Sequence, residues 1–488
     1  MITNEKLGDE WWDERKKVLA EWPTGAQVDF EEAVAFHKSL PPGRVWRRRV
    51  EEAQRKGETL IITGMGKTTL EQQTALLRAV EPVADVLGTS VDSLTRNHDF
   101  AGAAEGIEKS QKNDSSALNG FPVVNHGVAG IRRLTNALSR PVQLKYGAPD
   151  IRIISEIAYA GGYTADAADG LYNFWNMNAK ASLETVLKNA RYIHRLVGLY
   201  EERGVPLALS VLGMYGAGVP PGLVIAAALT QVLMMAAQGV KLINLHYMAQ
   251  GNVAQDVAAG TIFRERARFW LDRVGCEDTG LVLTVGLALA RYPDEPGCSF
   301  AVTAFDCLLA RLCGAQLVDV RTISEAKTIP TANDIVVTYK AARMAANLFK
   351  DQGLCLDPRV LDEERRILGM EVDAIVTRVV ELGEGDVAAG TLKAVETGVL
   401  DNPFSTHRSV HCRVLGLKDA RGAVRYLEHG SVPLTREVLE FHRDKIAERE
   451  TLHGRRAGYQ MVVEDLTSIS RGYVVDNVPA SGPAGDRP

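Results

Sequence analysis

The sequence predicts an α/β fold, a (β/α)8 (TIM) barrel with an N-terminal helical lead-in and a C-terminal α+β extension. Three observations predict it. Eight short apolar runs, rich in β-branched residues, each precede a helix-length segment. The runs are apolar throughout instead of alternating, as in parallel strands covered on both faces. Together the units occupy about 270 residues, the length of one such barrel.

The runs are Thr59–Thr63, Val83–Leu87, Phe121–Asn125, Pro141–Tyr146, Leu207–Leu212, Val240–Tyr247, Leu281–Val285 and Gln316–Arg321. A doubly wound open sheet is the alternative, because periodicity does not report whether a sheet closes. The lead-in covers 1–58, the barrel 59–345 and the extension 346–475. The last stretch, 476–488, carries too little apolar surface to order itself and is expected to be a disordered tail.

Composition narrows the class. With 46% hydrophobic and 24% charged residues and a net charge of −5, the chain reads as an ordinary globular protein. Mild acidity gives no electrostatic reason to expect nucleic acid or an anionic membrane as a partner. Six cysteines lack CxxC pairing, and Cys307 and Cys313 lie in an apolar helical stretch, as buried thiols of a reducing compartment do. The opening "MITNEKLGDEWWDERKKVLAEW" is too charged for a signal peptide. The greasiest run, Gly222–Val240, is interrupted by Thr230, Gln231 and Gln238, so a buried helix is expected and not a membrane span. A cytoplasmic protein is expected.

The stretch "TLIITGMGKTTL" (Thr59–Leu70) imitates a phosphate-binding loop. That loop needs a glycine five residues before its Gly-Lys pair, so that several N–H groups converge on phosphate. Here the position is Ile61, inside the strand, and the nucleotide reading fails on spacing. A glycine turn at the C-terminal end of a barrel strand survives, where such folds bind ligands. His246, at a strand end, reads equally as a core histidine or a catalytic group. His407 and His411 read as surface residues, since no carboxylate joins them as a metal ligand.

Several long blocks then occur in order: "EWPTGAQVDFEEAV", "LNGFPVVNHGV", "YGAPD", "GNVAQDVAA", "TISEAKTIPT", "KAVETGVLDNPFS" and "VRYLEHGSVPLT". With them the chain resembles the large catalytic (epsilon) subunit of glutamate mutase, also called methylaspartate mutase. The resemblance implies a barrel and an isomerase that uses adenosylcobalamin in a radical rearrangement of a carbon skeleton. It also implies a small cobalamin-binding partner carrying Asp-x-His-x-x-Gly, a motif absent from this chain, in a heterotetramer with two copies of each.

Residue by residue, the resemblance implies cofactor contacts at Gly66, Asn119, Tyr292, Arg321 (where the family has lysine), Glu325 and Ile329. On the substrate side it implies Arg96, Tyr172 and Asn178. Lys145 and Gly64 replace two of the family's three substrate arginines, and Tyr146 replaces a histidine. Ala167 stands where the family has the carboxylate that meets the substrate ammonium, and either Asp166 or Asp169 is a candidate replacement. Losing arginine forks matters, because each charge-assisted hydrogen bond contributes about 1.5–3 kcal/mol. The pattern points to an acid without the amine, such as 2-oxoglutarate, in a specialised pathway such as antibiotic assembly. Two further readings are a different reaction on the same barrel and a non-catalytic subunit that docks a cobalamin partner.

Overall fold

The computed structural model describes residues 5–325 and 327–475, so the expected tail lies outside the described residues. Its main sheet holds β1 (Leu60–Ile62), β2 (Gly64–Met65), β3 (Leu87–Ser90), β4 (Val142–Lys145), β5 (Ala165–Ala167), β6 (Ala208–Val211), β7 (Leu242–Ala249), β8 (Gly280–Leu287) and β9 (Leu317–Asp319). All pairings are parallel and run in order around the sheet. β1 pairs with β9, whereas β2 pairs with β3. One stretch of chain, broken at Thr63, therefore serves both edges, and the sheet closes into a barrel. The break is chemically satisfied: the Thr63 N–H donates to Tyr339 Oη at 3.2 Å, and that hydroxyl donates to Val86 O at 3.0 Å. The open-sheet alternative is thereby excluded.

Three local expectations are corrected. Phe121–Asn125 is not a strand: Phe121 makes a single bridge to Val91, and Pro122 then leads into the helix Val123–Asn136. Its apolar run belongs to a buried first helical turn, which periodicity over so few residues does not separate from a strand. Val83–Leu87 is loop up to Val86, and the strand begins at Leu87. Asp85 holds that loop in place by accepting from Ile61 N–H at 2.9 Å and from Arg49 at 2.8 Å. The missing strand is β5, whose Ala-Asp-Ala carries no β-branched residue to announce it.

The lead-in plugs the N-terminal end of the barrel. Helix Trp46–Lys56 places Trp46, fully buried, among Leu60, Val86, Ala165, Ala208, Leu242, Val282 and Leu317. Its indole N–H donates to Gln143 Oε1 at 3.0 Å, which satisfies the polar tip of a large buried ring. Helix Glu10–Ala20 is tied down by Arg15, whose guanidinium grips the Glu156 carboxylate at 2.8 and 3.1 Å.

The Gly222–Val240 run forms the buried helix Pro221–Ala237, and no described helix is long and apolar enough to cross a membrane. The extension contains the helices Pro358–Leu382, Val387–Thr397, Arg436–His453 and Tyr459–Leu466 with an antiparallel pair, β10 (Val414–Lys418) and β11 (Val424–His429). Helix Pro358–Leu382 packs on the barrel helices Pro221–Ala237 and Val253–Arg273. The extension therefore shares the barrel's core. Cys307 and Cys313 are buried and free as expected; Cys298, Cys355 and Cys412 are exposed, also free.

Candidate active site

The C-terminal ends of the strands open into a cavity of about 660 Å³. Its base is a polar ladder formed by inward positions of otherwise apolar strands. Gln143 donates to Ser210 Oγ at 3.4 Å, Asn244 donates to the same oxygen at 2.9 Å, and Thr284 donates to Asn244 Oδ1 at 2.8 Å. These groups satisfy one another, so the lumen is polar without carrying charge at its base.

Charge is concentrated one layer higher. Lys145, at the end of β4, donates to Asp319 at the end of β9 over 2.5 Å. His246 Nε2 lies 3.4 Å from the other Asp319 oxygen. Burial pushes the Asp319 pKa up, but Lys145, Arg321 and His246 together outweigh it and hold the carboxyl at about 2. The same burial drives His246 down to about 4, against the pull of Asp319, so the imidazole is neutral at neutral pH. Burial also lowers Lys145, again opposed by Asp319. Lys145 is thus committed to a protein carboxylate.

Two arginines are not committed. Arg96 ends the short helix Ser93–Arg96, fixed by Asp92, which accepts from Thr95 N–H at 3.0 Å. Arg321 leaves the barrel just after β9. Both line the cavity, and neither guanidinium donates a hydrogen bond to any described residue. The Arg96 Nε is buried without an acceptor. Tyr172, in the first turn of helix Gly170–Met177, also lines the cavity; burial raises its phenol to about 12, opposed by Arg321 and Arg96, so it stays a donor.

The other candidates divide. Tyr146, Tyr292 and Glu325 line the same cavity, with Glu325 exposed at the rim. Asp169 also borders it, yet its carboxylate is spent: Oδ1 accepts from Tyr172 N–H at 3.0 Å, and Oδ2 accepts from the N–H groups of Leu212, at 2.7 Å, and Gly213, at 2.5 Å. It caps a helix and ties it to the loop after β6. Asp166 does not reach the cavity, because neighbours on a strand face opposite sides and Ala167 takes the inner one. It accepts from Ser155 Oγ at 2.5 Å behind the wall, and Ser155 in turn contacts Tyr146 Oη at 3.0 Å. Burial raises Asp166 to about 7, opposed by hydrogen bonds from Ser155 and the Ala167 N–H.

Asn178 likewise lies outside the cavity lining; its amide closes a turn onto Lys180 and Ala181. Gly66 meets protein and not open space: a Cβ there would sit 2.6 Å from Ser90 O and 2.8 Å from Gly120 Cα. Asn119, in the adjoining loop, accepts from Ser93 N–H at 2.9 Å. Ile329 is 42% exposed on the segment after β9. Sequence reasoning missed Asp319 and the ladder of Gln143, Ser210, Asn244 and Thr284. Their signal was available, as single polar residues interrupting apolar strands.

Known proteins are similar to this chain over nearly its whole length. The glutamate mutase epsilon subunit of Desulfitobacterium hafniense is 36% identical over 478 residues, covering 97% of this chain and 99% of the relative. The protein of the same name from Yersinia enterocolitica is 34% identical over 97% of the chain and 99% of its own. That of Haloarcula marismortui is 32% identical over 99% of both. The family described as methylaspartate mutase E chain (MutE) matches residues 40–478. A closed parallel barrel with a charged cavity at its C-terminal mouth thus carries this family's sequence from the lead-in through the extension, and the chain belongs to the methylaspartate mutase E chain family.

Proposed function

We propose that the chain is the catalytic subunit of an adenosylcobalamin-dependent carbon-skeleton mutase whose substrate is a small dicarboxylic acid without an amine, 2-oxoglutarate being the case to test. Membership in the family makes the enzyme an isomerase, an intramolecular transferase. The observation that carries the substrate reading is the charge balance of the cavity. Arg96 and Arg321 offer guanidinium forks with no protein acceptor, and forks match carboxylates. Among the described residues the inner carboxylates are already held, Asp319 by Lys145 and Asp169 by three backbone N–H groups, and position 167 is a methyl group. The remaining carboxylates of the lining are Asp294, paired with Arg291, and Glu325 at the exposed rim.

The residues present suit the cofactor. Glu325, Tyr292 and the Arg321 fork line the same cavity, so a ribose and its hydroxyls have donors and acceptors there. When bound, the coenzyme supplies the carbon radical that removes hydrogen from the substrate. A small cobalamin-binding subunit over the mouth accounts for the absence of an Asp-x-His-x-x-Gly motif here. In this reading Arg96 and Arg321 orient the acid, and Tyr172, kept protonated by burial, donates to one carboxylate oxygen. Trp46 and the mutually satisfied ladder close the far end to water, which strengthens each of these contacts.

The test is a competition between glutamate and 2-oxoglutarate in the reconstituted two-subunit enzyme with coenzyme, with products followed by mass spectrometry. Rearrangement of 2-oxoglutarate in preference to glutamate is expected; preference for glutamate refutes the amine-free substrate.

A further inference from the structure

At the opposite end of the barrel lies a second cavity, of about 380 Å³. Five cationic side chains line it, Arg49, Arg140, Arg311, Arg343 and Lys350, against two carboxylates, Glu58 and Asp85. Its floor is a fixed structure. Arg49, only 8% exposed, donates to Asp85 Oδ1 at 2.8 Å, while Arg343 and the Ile61 N–H both donate to Oδ2. One carboxylate thus serves two guanidiniums and an amide. Arg49 is engaged further, its Nη1 lying 3.6 Å from Glu52 and its Nη2 3.5 Å from Glu58, whereas the Arg140 side chain has no hydrogen bond or ion pair to a described residue.

Some of this positive charge has a simple structural use. Helices Trp46–Lys56, Pro296–Leu312 and Ala332–Leu348 end on this face, and cations near helix C-termini offset the macrodipole. Lys350 donates to Lys56 O at 3.4 Å in that way, and Arg343 donates to Thr59 O at 3.0 Å in the link to β1. Arg311 lies 3.4 Å from Asp351, and Arg49 is spent on Asp85, Glu52 and Glu58, so Arg140 alone of these described residues is left without a structural use. Arg140 belongs to the link before β4 and caps nothing. A guanidinium held without an acceptor in a cationic hollow matches the oxygens of an anion.

We propose that this hollow is a binding site for a small multivalent oxyanion, a phosphate ester or a polycarboxylate, held by Arg140 with Arg311 and Lys350 beside it. It stands at the end of the barrel away from the catalytic cavity and does not depend on the reading of that cavity. An anion there joins the link before β4, the helix Pro296–Leu312 and the end of the helix Ala332–Leu348.

The test is calorimetric titration of the full chain with pyrophosphate and, separately, with citrate, against sodium chloride of matched ionic strength. At least one probe is expected to saturate a site that remains in Arg96→Ala, apart from any binding in the catalytic cavity. Arg140→Ala is expected to weaken it by about ten-fold or more, as loss of a charge-assisted contact does, with Arg140→Gln as a second variant and thermal melting to verify folding. Arg96→Ala, in the opposite mouth, leaves the binding in place. Pyrophosphate alone assigns a phosphate ester, citrate alone a polycarboxylate, and both the shared oxyanion chemistry. The proposal is overturned if neither probe exceeds the salt control, if binding survives both Arg140 variants, or if Arg96→Ala abolishes it.

Discussion

Asp319 is the residue on which the charge layer of the cavity turns, since it hydrogen-bonds Lys145 and interacts through space with Arg321 and His246. Replacing it by asparagine leaves two buried cations facing each other, whereas Lys145→Met leaves Asp319 with Arg321 still beside it. Asp319→Asn is therefore expected to cost about 3–5 kcal/mol and Lys145→Met less; urea denaturation of the two variants checks the order. Arg96 behaves differently, because its fork has no protein acceptor to strand. Arg96→Ala should leave the melting temperature nearly unchanged and weaken substrate binding by roughly ten- to a hundred-fold, read as a rise in KM. Behind the wall, Asp166 gives a pH signature. Its folded pKa of about 7 exceeds its ordinary 3.8, so the folded chain holds a proton that the unfolded chain has lost between those values. This group's contribution to stability accordingly falls as pH rises from about 4 to about 7. Asp166→Asn should flatten that part of the profile of denaturation midpoint against pH; an unchanged slope contradicts the assignment. The family resemblance pointed to Arg96, Lys145, Tyr146 and Tyr172, because the blocks around them align with the family's substrate positions. It left Asp166 and Asp169 undecided because strand facing and helix capping, which separate them, are properties of the folded backbone.

At the scale of elements, the closure of the barrel depends on close backbone approach. Gly66 lets the end of β2 pass Ser90 O and Gly120, and a methyl group there has no room. Gly66→Ala is expected to destabilise by about 1–3 kcal/mol through overpacking, measured by urea denaturation. Seven of the eight strand regions were legible as apolar, β-branched runs, although β3 begins at the end of its predicted run. The exchange of Phe121–Asn125 for β5 shows the limit. A short greasy run was helix, and Ala165–Ala167 became a strand only because β4 and β6 flank it. Neighbouring strands override propensity in a segment so short. The split of the first strand at Thr63 was not legible either, because Tyr339, which satisfies its N–H, lies far along the chain.

Over the whole molecule, the lead-in closes one end of the barrel, the extension braces the helices on one side, and the C-terminal mouth is left open. That arrangement leaves a cavity closed at its base and open at its rim, which suits the proposed radical chemistry with a docked partner subunit. The most direct measurement is electron paramagnetic resonance of this chain mixed with a small Asp-x-His-x-x-Gly subunit, adenosylcobalamin and 2-oxoglutarate. The account predicts a paramagnetic signal that appears only when all four are present and that needs a higher 2-oxoglutarate concentration with Arg96→Ala. A complete mixture that stays silent with 2-oxoglutarate and with glutamate, and in which the chain recruits no corrinoid, would contradict it.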